Sequence, residues 1–368
     1  MITFCNYHRH SMYTNVRISD SAVTNRDYAI RAKELGHKIL SSVEHGWQGN
    51  YFDVIKLAKE YDLKPVIGAE VYWVKDRTEK DRNNCHMCII AKNENGRQAL
   101  NDILSEANIT GFYGQPRVDI PLILSLPKDD VIVTTACLAY WKYTDIIDIT
   151  KQFAEHFGKN FFLEVQYHNT DSQRKINKLI LKLKNELNIP IIMGCDSHYI
   201  KPEDAQTRVD FLYSKGLEYP DEEGWYLDYP DGDTAYQRFA TQCVLSHSEI
   251  LEAINNTNVM LTVEEYNSPV FNDEIKLPSL HPDWTQEERD EEYKRLVWNG
   301  WDEYKKDIPE SEWGKYIEEI KKEIQTVVDT HMSDYFICDY YIMKKGKENG
   351  GKLTKSGRGS MPMECPFS

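Results

Sequence analysis

Two histidines near the amino terminus, His8 and His10, are separated by one residue in the segment FCNYHRHSMY. In an extended chain, residues two apart point to the same side, so both imidazoles can face one point. The same spacing recurs at Asp196 and His198 in the segment PIIMGCDSHYI. Converging imidazoles and carboxylates are typical ligands of zinc, manganese or iron. Either pair alone is more often a surface group, so the remaining ligand-type residues must decide between the two interpretations.

Seven short apolar segments rich in β-branched residues predict the strands that would position such ligands. They are residues 2–8, 38–45, 65–73, 86–91, 131–138, 161–166 and 190–196. Helical apolar spacing occurs between them, at residues 25–36, 50–62, 93–108, 143–158 and 171–188. This alternation predicts an α/β fold with a parallel sheet, open or closed into a barrel.

Six of the seven predicted strands carry a residue that can bind a metal, mostly at the carboxyl end. Besides the two pairs already described, these residues are His45, Glu70, His86 and Cys137. In βα barrels the carboxyl ends of the strands are where active sites are built. The ligands outnumber what one tetrahedral ion can use, so we expect two or three divalent ions. Clustered ions of this kind are suited to phosphoester hydrolysis.

The composition is that of a globular chain with no targeting signal. Among 368 residues, 41% are hydrophobic and 28% are charged, and no apolar run approaches the ~18 residues of a membrane helix. The first residues lack the features of a signal peptide, and eight cysteines then indicate reduced thiols, so we expect a cytoplasmic protein without a membrane partner. The net charge of −15 argues against binding duplex DNA by electrostatics alone. It is compatible with a nucleic-acid enzyme whose metals supply local positive charge.

The pattern changes after about residue 200. Residues 217–236 have the composition of a loop, and residues 268–284 that of a linker. Capping boxes at residues 246–249 and 285–288 predict helices to about residues 256 and 306, and a further helix is expected at 311–331. We therefore predict three parts, at residues 1–230, 231–284 and 285–368.

Four segments resemble successive motifs of the polymerase and histidinol phosphatase (PHP) domain. They are YHRHSMYT, SVEHGWQGNYFDVIKLAKEYDLKPVIGAEVYW, HMCIIAKNENGRQALNDILSEA and IPIIMGCDSHYIKPEDAQ. The version they resemble stands at the start of C-family replicative DNA polymerases, the bacterial DNA polymerase III alpha subunits. Residues 316–360 are similar to the segment that leads into the polymerase palm in that family. The resemblance implies a distorted seven-stranded βα barrel followed by a mostly helical, partial palm.

The resemblance also implies roles for particular residues. Nine ligands would hold up to three metal ions, namely His8, His10, Asp20, His45, Glu70, His86, Cys137, Asp196 and His198. Of these, His10, Asp196 and His198 are the expected catalytic residues, and His168 is a candidate substrate contact. Gly357, Arg358, Gly359 and Ser360 match a family segment that could cradle a phosphate. The implied reaction is 3′→5′ exonuclease or phosphoesterase hydrolysis at a single-stranded DNA end.

Three interpretations remain open at this point. The chain is expected to be a truncated or split polymerase, because the palm aspartates of the family lie beyond the segment that ends at Ser360. Its partner would be the rest of the polymerase or a replisome subunit, and polymerase activity is not expected from this chain alone. Alternatively, the barrel is a metal-stabilised scaffold without activity, or a free-standing phosphoesterase for small molecules.

Overall fold

The computed structural model describes residues 2–219, 223–266 and 278–352. The chain divides into two compact units, Met1–Ser268 and Pro269–Ser368. The division into three parts at residues 230 and 284 remains a prediction. No helix in the described part of the chain is long and apolar enough to cross a membrane.

Within its described residues, the first unit is built on one curled sheet of eight strands. The strands are β1 (Ile39–His45), β2 (Lys64–Val74), β3 (Cys85–Ala91), β4 (Phe112–Tyr113), β5 (Gln115–Asp119), β6 (Val131–Thr134), β7 (Phe161–Val165) and β8 (Ile191–Met193). Their order is β4-β5-β2-β3-β6-β7-β8, and β1 pairs with the first part of β2. The α/β class with a barrel-like sheet is thus confirmed, and the short β4 and β5 are additions to the predicted strands.

The sheet is mixed, so the prediction of a parallel sheet was wrong for part of it. β3 runs antiparallel to both β2 and β6, whereas β1–β2, β6–β7 and β7–β8 are parallel. The cause is the connection at residues 75–84, which contains no helix and therefore no crossover. The reversed direction places His86, near the start of β3, opposite Tyr72 on β2. His86 therefore lies at the same end of the sheet as the carboxyl ends of the parallel strands.

The amino-terminal segment does not form the predicted first strand. It forms an isolated parallel bridge between Arg9 and Ser197, which follows β8 in the chain. The Ser197 carbonyl accepts from the His10 amide at 2.8 Å, and the Ser41 hydroxyl donates to the Asn6 carbonyl at 3.1 Å. The segment therefore lies between β1 and the residues that follow β8. The predicted strand at this place would have formed a continuous series of backbone hydrogen bonds with a neighbouring strand.

Helices surround this sheet, and most follow the sequence pattern closely. They are α1 (Asn25–Glu34), α2 (Tyr51–Glu60), α3 (Glu94–Ile109), α4 (Ile120–Leu124), α5 (Ile146–Phe157), α6 (Asp171–Leu187), α7 (Ala205–Ser214), α8 (Gly232–Gln242) and α9 (His247–Asn256). The capping box at Ser246 is confirmed. The predicted loop at residues 217–236 was too long, because the Asp231 side chain caps α8 from within it.

Two apolar cores lie on opposite faces of the sheet. Ile89 belongs to one core and its neighbour Ile90 to the other, as the alternation of a strand requires. The first core packs against α3, α5 and α6, and the second against α1 and α2. Both cores hold rigid the strand ends that carry the predicted ligands.

The second unit is helical. Its main helices are α10 (Gln286–Tyr304), α11 (Trp313–Asp329) and α12 (Ser333–Glu348). The capping box at Thr285 is confirmed, and Arg289 pairs with Asp334 at 2.9 Å between α10 and α12. Trp301 and Ile337 are buried in its apolar core. The helical character agrees with the prediction, and the assignment to a polymerase palm remains a proposal.

One buried histidine of the first unit makes its stability depend on pH. His37 is 3% exposed, and its ring lies 4.5 Å from that of Phe4. Its Nδ1 is 3.2 Å from the Tyr229 hydroxyl. Burial, with a contribution from Arg31, lowers the pKa of His37 to about 4. The folded unit therefore resists protonation of this ring, whereas the unfolded chain does not.

We predict that the free energy of unfolding falls as the pH drops through the range between the unfolded pKa, about 6.5, and the folded pKa. Between about pH 7 and about pH 5, His37 should account for a loss of about 2 kcal/mol, because the unfolded state binds the additional proton. Urea unfolding of the wild type and of His37→Gln at both pH values measures this. An equal pH dependence in the two proteins would contradict the assignment.

Candidate metal centre

The Glu70 carboxylate lies at the middle of the predicted ligands. Glu70 is 1% exposed and is held near the carboxyl end of β2, where it is paired with His45 on β1. Its Oε2 lies 3.1 Å from the His10 Nε2 and 3.1 Å from the His45 Nδ1. Its Oε1 lies 3.0 Å from the His86 Nδ1. One oxygen of Glu70 thus faces two imidazoles, and the other oxygen faces a third.

The first group joins the two pairs that the sequence analysis began with. His8, His10, Glu70 and Asp196 each offer a ligand atom, and these atoms all lie within 4.8 Å of one another. The Asp196 Oδ1 lies 3.3 Å from the His8 Nε2 and 3.1 Å from the His10 Nε2. The bridge between Arg9 and Ser197 explains this, because it holds the two i, i+2 pairs side by side.

The second group is formed by His45, Glu70 and His86, again within 4.8 Å. The Cys137 Sγ lies beside it, 3.5 Å from the His86 Nδ1 and 3.6 Å from the Glu70 Oε1. His86 and Cys137 are only partly buried, whereas the other predicted ligands are buried. The centre therefore opens to solvent on the side of His86 and Cys137.

The third group contains His10, His45 and His198. Asp20 borders it, with its Oδ2 3.0 Å from the His198 Nε2 and 3.7 Å from the His45 Nε2. The other oxygen of Asp20 accepts a hydrogen bond from the Arg208 guanidinium on α7. Asp20 thus contacts predicted ligands while it also neutralises a buried arginine. The motif alone contained no signal for Arg208.

The donor atoms fit divalent metal ions. The His8 Nε2, His10 Nε2, His45 Nδ1, Glu70 Oε2 and Asp196 Oδ1 atoms are buried and have no hydrogen-bond partner within the described residues. An ion bound at about 2.0–2.2 Å separates adjacent ligands by about 3.0–3.5 Å, which is the range of the distances above. Buried polar atoms without partners are costly, and bound divalent ions would satisfy these atoms.

Charge supports the same interpretation. Burial opposes ionisation of Glu70, but the imidazoles of His86, His45 and His8 hold the pKa of Glu70 well below its usual range. Burial and the neighbouring His10 lower the pKa of His45 to about 4, so its ring is neutral, as a metal ligand must be. Glu70 is therefore held as a carboxylate beside a neutral His45.

Left-handed turns carry the strands into the centre. Gly46 follows His45 with φ +67°, and a Cβ there would lie 3.1 Å from the Tyr72 ring. Ala136, just before Cys137, has φ 49°, and Asp196 itself has φ 50°. Such backbone is costly for residues other than glycine and tends to occur at functional sites. The three turns re-aim the chain so that each ligand points inward.

A second carboxylate, Glu164 on β7, supports the centre from behind. Its Oε1 lies 2.7 Å from the His8 Nδ1, which leaves the Nε2 of the same ring for an ion. Its Oε2 accepts from the Tyr7 hydroxyl at 2.6 Å and from the Thr134 hydroxyl at 2.7 Å. Glu164, Cys88 and His8 also form a cluster of ligand-type residues, but the hydrogen bonds to Glu164 make it a positioning group. The sequence analysis did not identify Glu164, although a single glutamate within the apolar segment FFLEVQ could have indicated a buried functional carboxylate.

The predicted substrate contacts fall in two classes. His168 is fully buried, stacks on Trp225 with ring centroids 4.6 Å apart, and accepts at Nδ1 from the Tyr226 amide at 3.1 Å. It is absent from the ligand groups above. Gly357, Arg358, Gly359 and Ser360 lie outside the described residues.

Comparison with known proteins agrees with this geometry. The family model of the PHP domain matches residues 6–168. This part of the chain is a PHP domain. The chain is similar to the DNA polymerase III subunit alpha of Campylobacter jejuni, with 26% identity over 99% of the chain and 33% of the relative. The subunit of the same name from Helicobacter pylori is 25% identical over 97% of the chain and 32% of the relative.

The chain therefore spans about one third of the length of these relatives. Among solved structures, a candidate metal-dependent phosphoesterase from Bifidobacterium adolescentis superimposes with a TM-score of 0.36 and 14% identity. That match covers 54% of this chain and 88% of the other. A superposition this loose supports no assignment of function. The PHP assignment rests on the family match and on the sequence relatives.

We predict that Glu164→Gln lowers the affinity for metal by about 10- to 100-fold. The uncharged amide would orient the His8 ring less firmly and would make the His8 Nε2 a weaker metal ligand. Competition with a chromogenic chelator measures the affinity. Glu155→Gln, an exposed change of the same chemistry on α5, is the matched control. Equal affinities in the two variants would contradict the supporting role of Glu164.

Proposed function

We propose that the centre hydrolyses phosphoester bonds at the 3′ end of single-stranded DNA, as part of a C-family replicative polymerase. The observation that carries the proposal is the central position of Glu70, whose Oε2 faces His10 and His45 while its Oε1 faces His86. Such an arrangement suits two or three divalent ions of zinc, manganese or iron. DNA as substrate is supported by the similarity to DNA polymerase III alpha subunits.

The bound ions would supply an activated water and would offset negative charge on the phosphate. The residues of the chain then have separate tasks. His10 and Asp196 would hold the ions, and the Asp196 Oδ1 also lies 3.8 Å from the His198 Nδ1. His198 lies against Asp20, so it is placed to take part in proton movement at the edge of the centre. The other proposed partners, a replisome subunit and the rest of the palm, follow from the same relationship.

The proposal predicts that Asp196→Asn lowers the rate of hydrolysis by about 100-fold or more. The reason is that the substitution removes the negative charge of one metal ligand. Asparagine tolerates the left-handed backbone at this position, so the fold should persist. Release of nucleotides from a 5′-labelled single-stranded oligonucleotide measures activity, after metal content is determined by mass spectrometry. Asp148→Asn, on the exposed face of α5, is the control.

Two outcomes of this experiment favour the other interpretations. A metal-loaded wild type that releases no nucleotide with zinc, manganese or iron would indicate a scaffold. In that case Asp196→Asn should lower the melting temperature without an activity to lose. Faster hydrolysis of a phosphate monoester than of the oligonucleotide would indicate a small-molecule phosphoesterase.

We also propose that His168 contacts the substrate. Its Nδ1 accepts from a backbone amide, so its Nε2 carries the hydrogen, and this atom is buried without a partner in the described ranges. Burial lowers the pKa of His168 to about 4, which keeps the ring a neutral donor. The lost hydrogen bond in His168→Ala should raise KM by about tenfold with little change in kcat or metal content. His156→Ala, at the end of α5, should leave both constants unchanged.

A further inference from the structure

Tyr72 on β2 is a buried residue whose side chain faces the metal centre. Its neighbours in sequence, Val71 and Trp73, pack into an apolar core on the other face of the sheet. Tyr72 points to the same face as Glu70, two residues earlier, and lies directly opposite His86 on β3. It belongs to neither apolar core of the first unit.

The ring of Tyr72 packs against two predicted ligands. It stacks on the His45 ring with centroids 5.7 Å apart, and it meets the His86 ring edge-on at 5.1 Å. Gly46 makes room for it, because a Cβ at that position would lie 3.1 Å from the Tyr72 ring and 3.2 Å from Pro116. The ring is therefore held in one position on the side where the centre opens, next to the partly buried His86.

The hydroxyl of Tyr72 has no hydrogen-bond partner among the described residues, although Tyr72 is only 4% exposed. Two other buried tyrosines place this group differently: the Tyr266 hydroxyl donates to the Ala91 carbonyl at 2.8 Å, and the Tyr28 hydroxyl donates to the Ser197 carbonyl at 2.9 Å. A phenol held beside a metal centre without a partner loses hydrogen-bond energy that a ligand of the centre could restore. The packing of the ring explains why an aromatic residue stands at this position, but it does not explain why the ring carries a hydroxyl group.

We propose, building on the proposed function, that the Tyr72 hydroxyl donates a hydrogen bond to a non-bridging phosphate oxygen of the bound substrate. During hydrolysis the oxygen of water bonds to phosphorus, and the bond from phosphorus to the leaving 3′ oxygen breaks. A proton of the water ends on that 3′ oxygen, and Tyr72 keeps its own. Negative charge grows on the non-bridging oxygens along this path, so a fixed donor there lowers the barrier.

Tyr72→Phe tests this, because it removes the hydroxyl and keeps the ring. We expect kcat on the oligonucleotide to fall by about 100- to 1,000-fold, as for loss of one donor to a developing oxyanion. Metal content and melting temperature should stay at the wild-type level, since the hydroxyl has no partner in the protein. Binding of inorganic phosphate to the manganese-loaded protein, measured by calorimetry, should weaken by about tenfold.

Tyr266→Phe is the matched control, because it removes a hydroxyl that is bonded within the protein, to the Ile67 amide and the Ala91 carbonyl. It should lower the melting temperature and leave phosphate affinity and kcat unchanged.

Unchanged kcat and phosphate affinity in Tyr72→Phe, or loss of its metal, would overturn the proposal. A wild type that binds phosphate without hydrolysing DNA would overturn the proposed function alone, and the phosphate affinity of Tyr72→Phe would still decide the role of Tyr72. A wild type that binds no phosphate would overturn the Tyr72 proposal too.

Discussion

A buried carboxylate that must be neutralised is the constraint on which the first unit depends. Glu70 is ionised, almost inaccessible to water, and shared between imidazoles that come from three separate parts of the chain. An isolated buried charge is costly, and imidazoles alone compensate it only when they are protonated. Burial lowers the pKa of His10, whereas the Asp196 and Glu70 carboxylates raise it, to about 9 on balance. The carboxylates thus favour a positive charge at this position, which divalent ions would provide.

The surrounding architecture serves to hold this charge arrangement in place. β2 carries Glu70 and Tyr72 on one face while its other face is anchored in an apolar core. Behind the centre, Glu164 orients His8, and Gly194 is required there because a Cβ would lie 1.8 Å from the Glu164 Oε1. The buried Tyr7, His8 and Thr134 side chains are tolerated at this depth because each is hydrogen-bonded to the Glu164 carboxylate. The same strands therefore form the core of the barrel and position the ligands of the site.

Much of this centre could be predicted from the sequence, and the remainder depended on distant partners. The i, i+2 spacing and the positions at strand ends brought together His8, His10, Glu70 and Asp196, which lie in one group. The reversal of β3 was missed, because the alternating pattern does not reveal that residues 75–84 lack a helix. Glu164 and Arg208 were missed because their partners, His8 and Asp20, lie more than 150 residues away. No local periodicity encodes such contacts.

The amino-terminal segment also determines when the centre can exist during synthesis. His8 and His10 leave the ribosome well before Asp196 and Ser197, yet the Arg9 bridge needs Ser197, and the first group of ligands needs Asp196. A ribosome adds about 5–20 residues each second, so the two halves of this group are separated by roughly 9 to 37 seconds of translation. Until then the early histidines have only transient partners and can bind metal weakly at best. Tight metal binding therefore requires that the chain has been synthesised at least through Ser197 and that the barrel has folded.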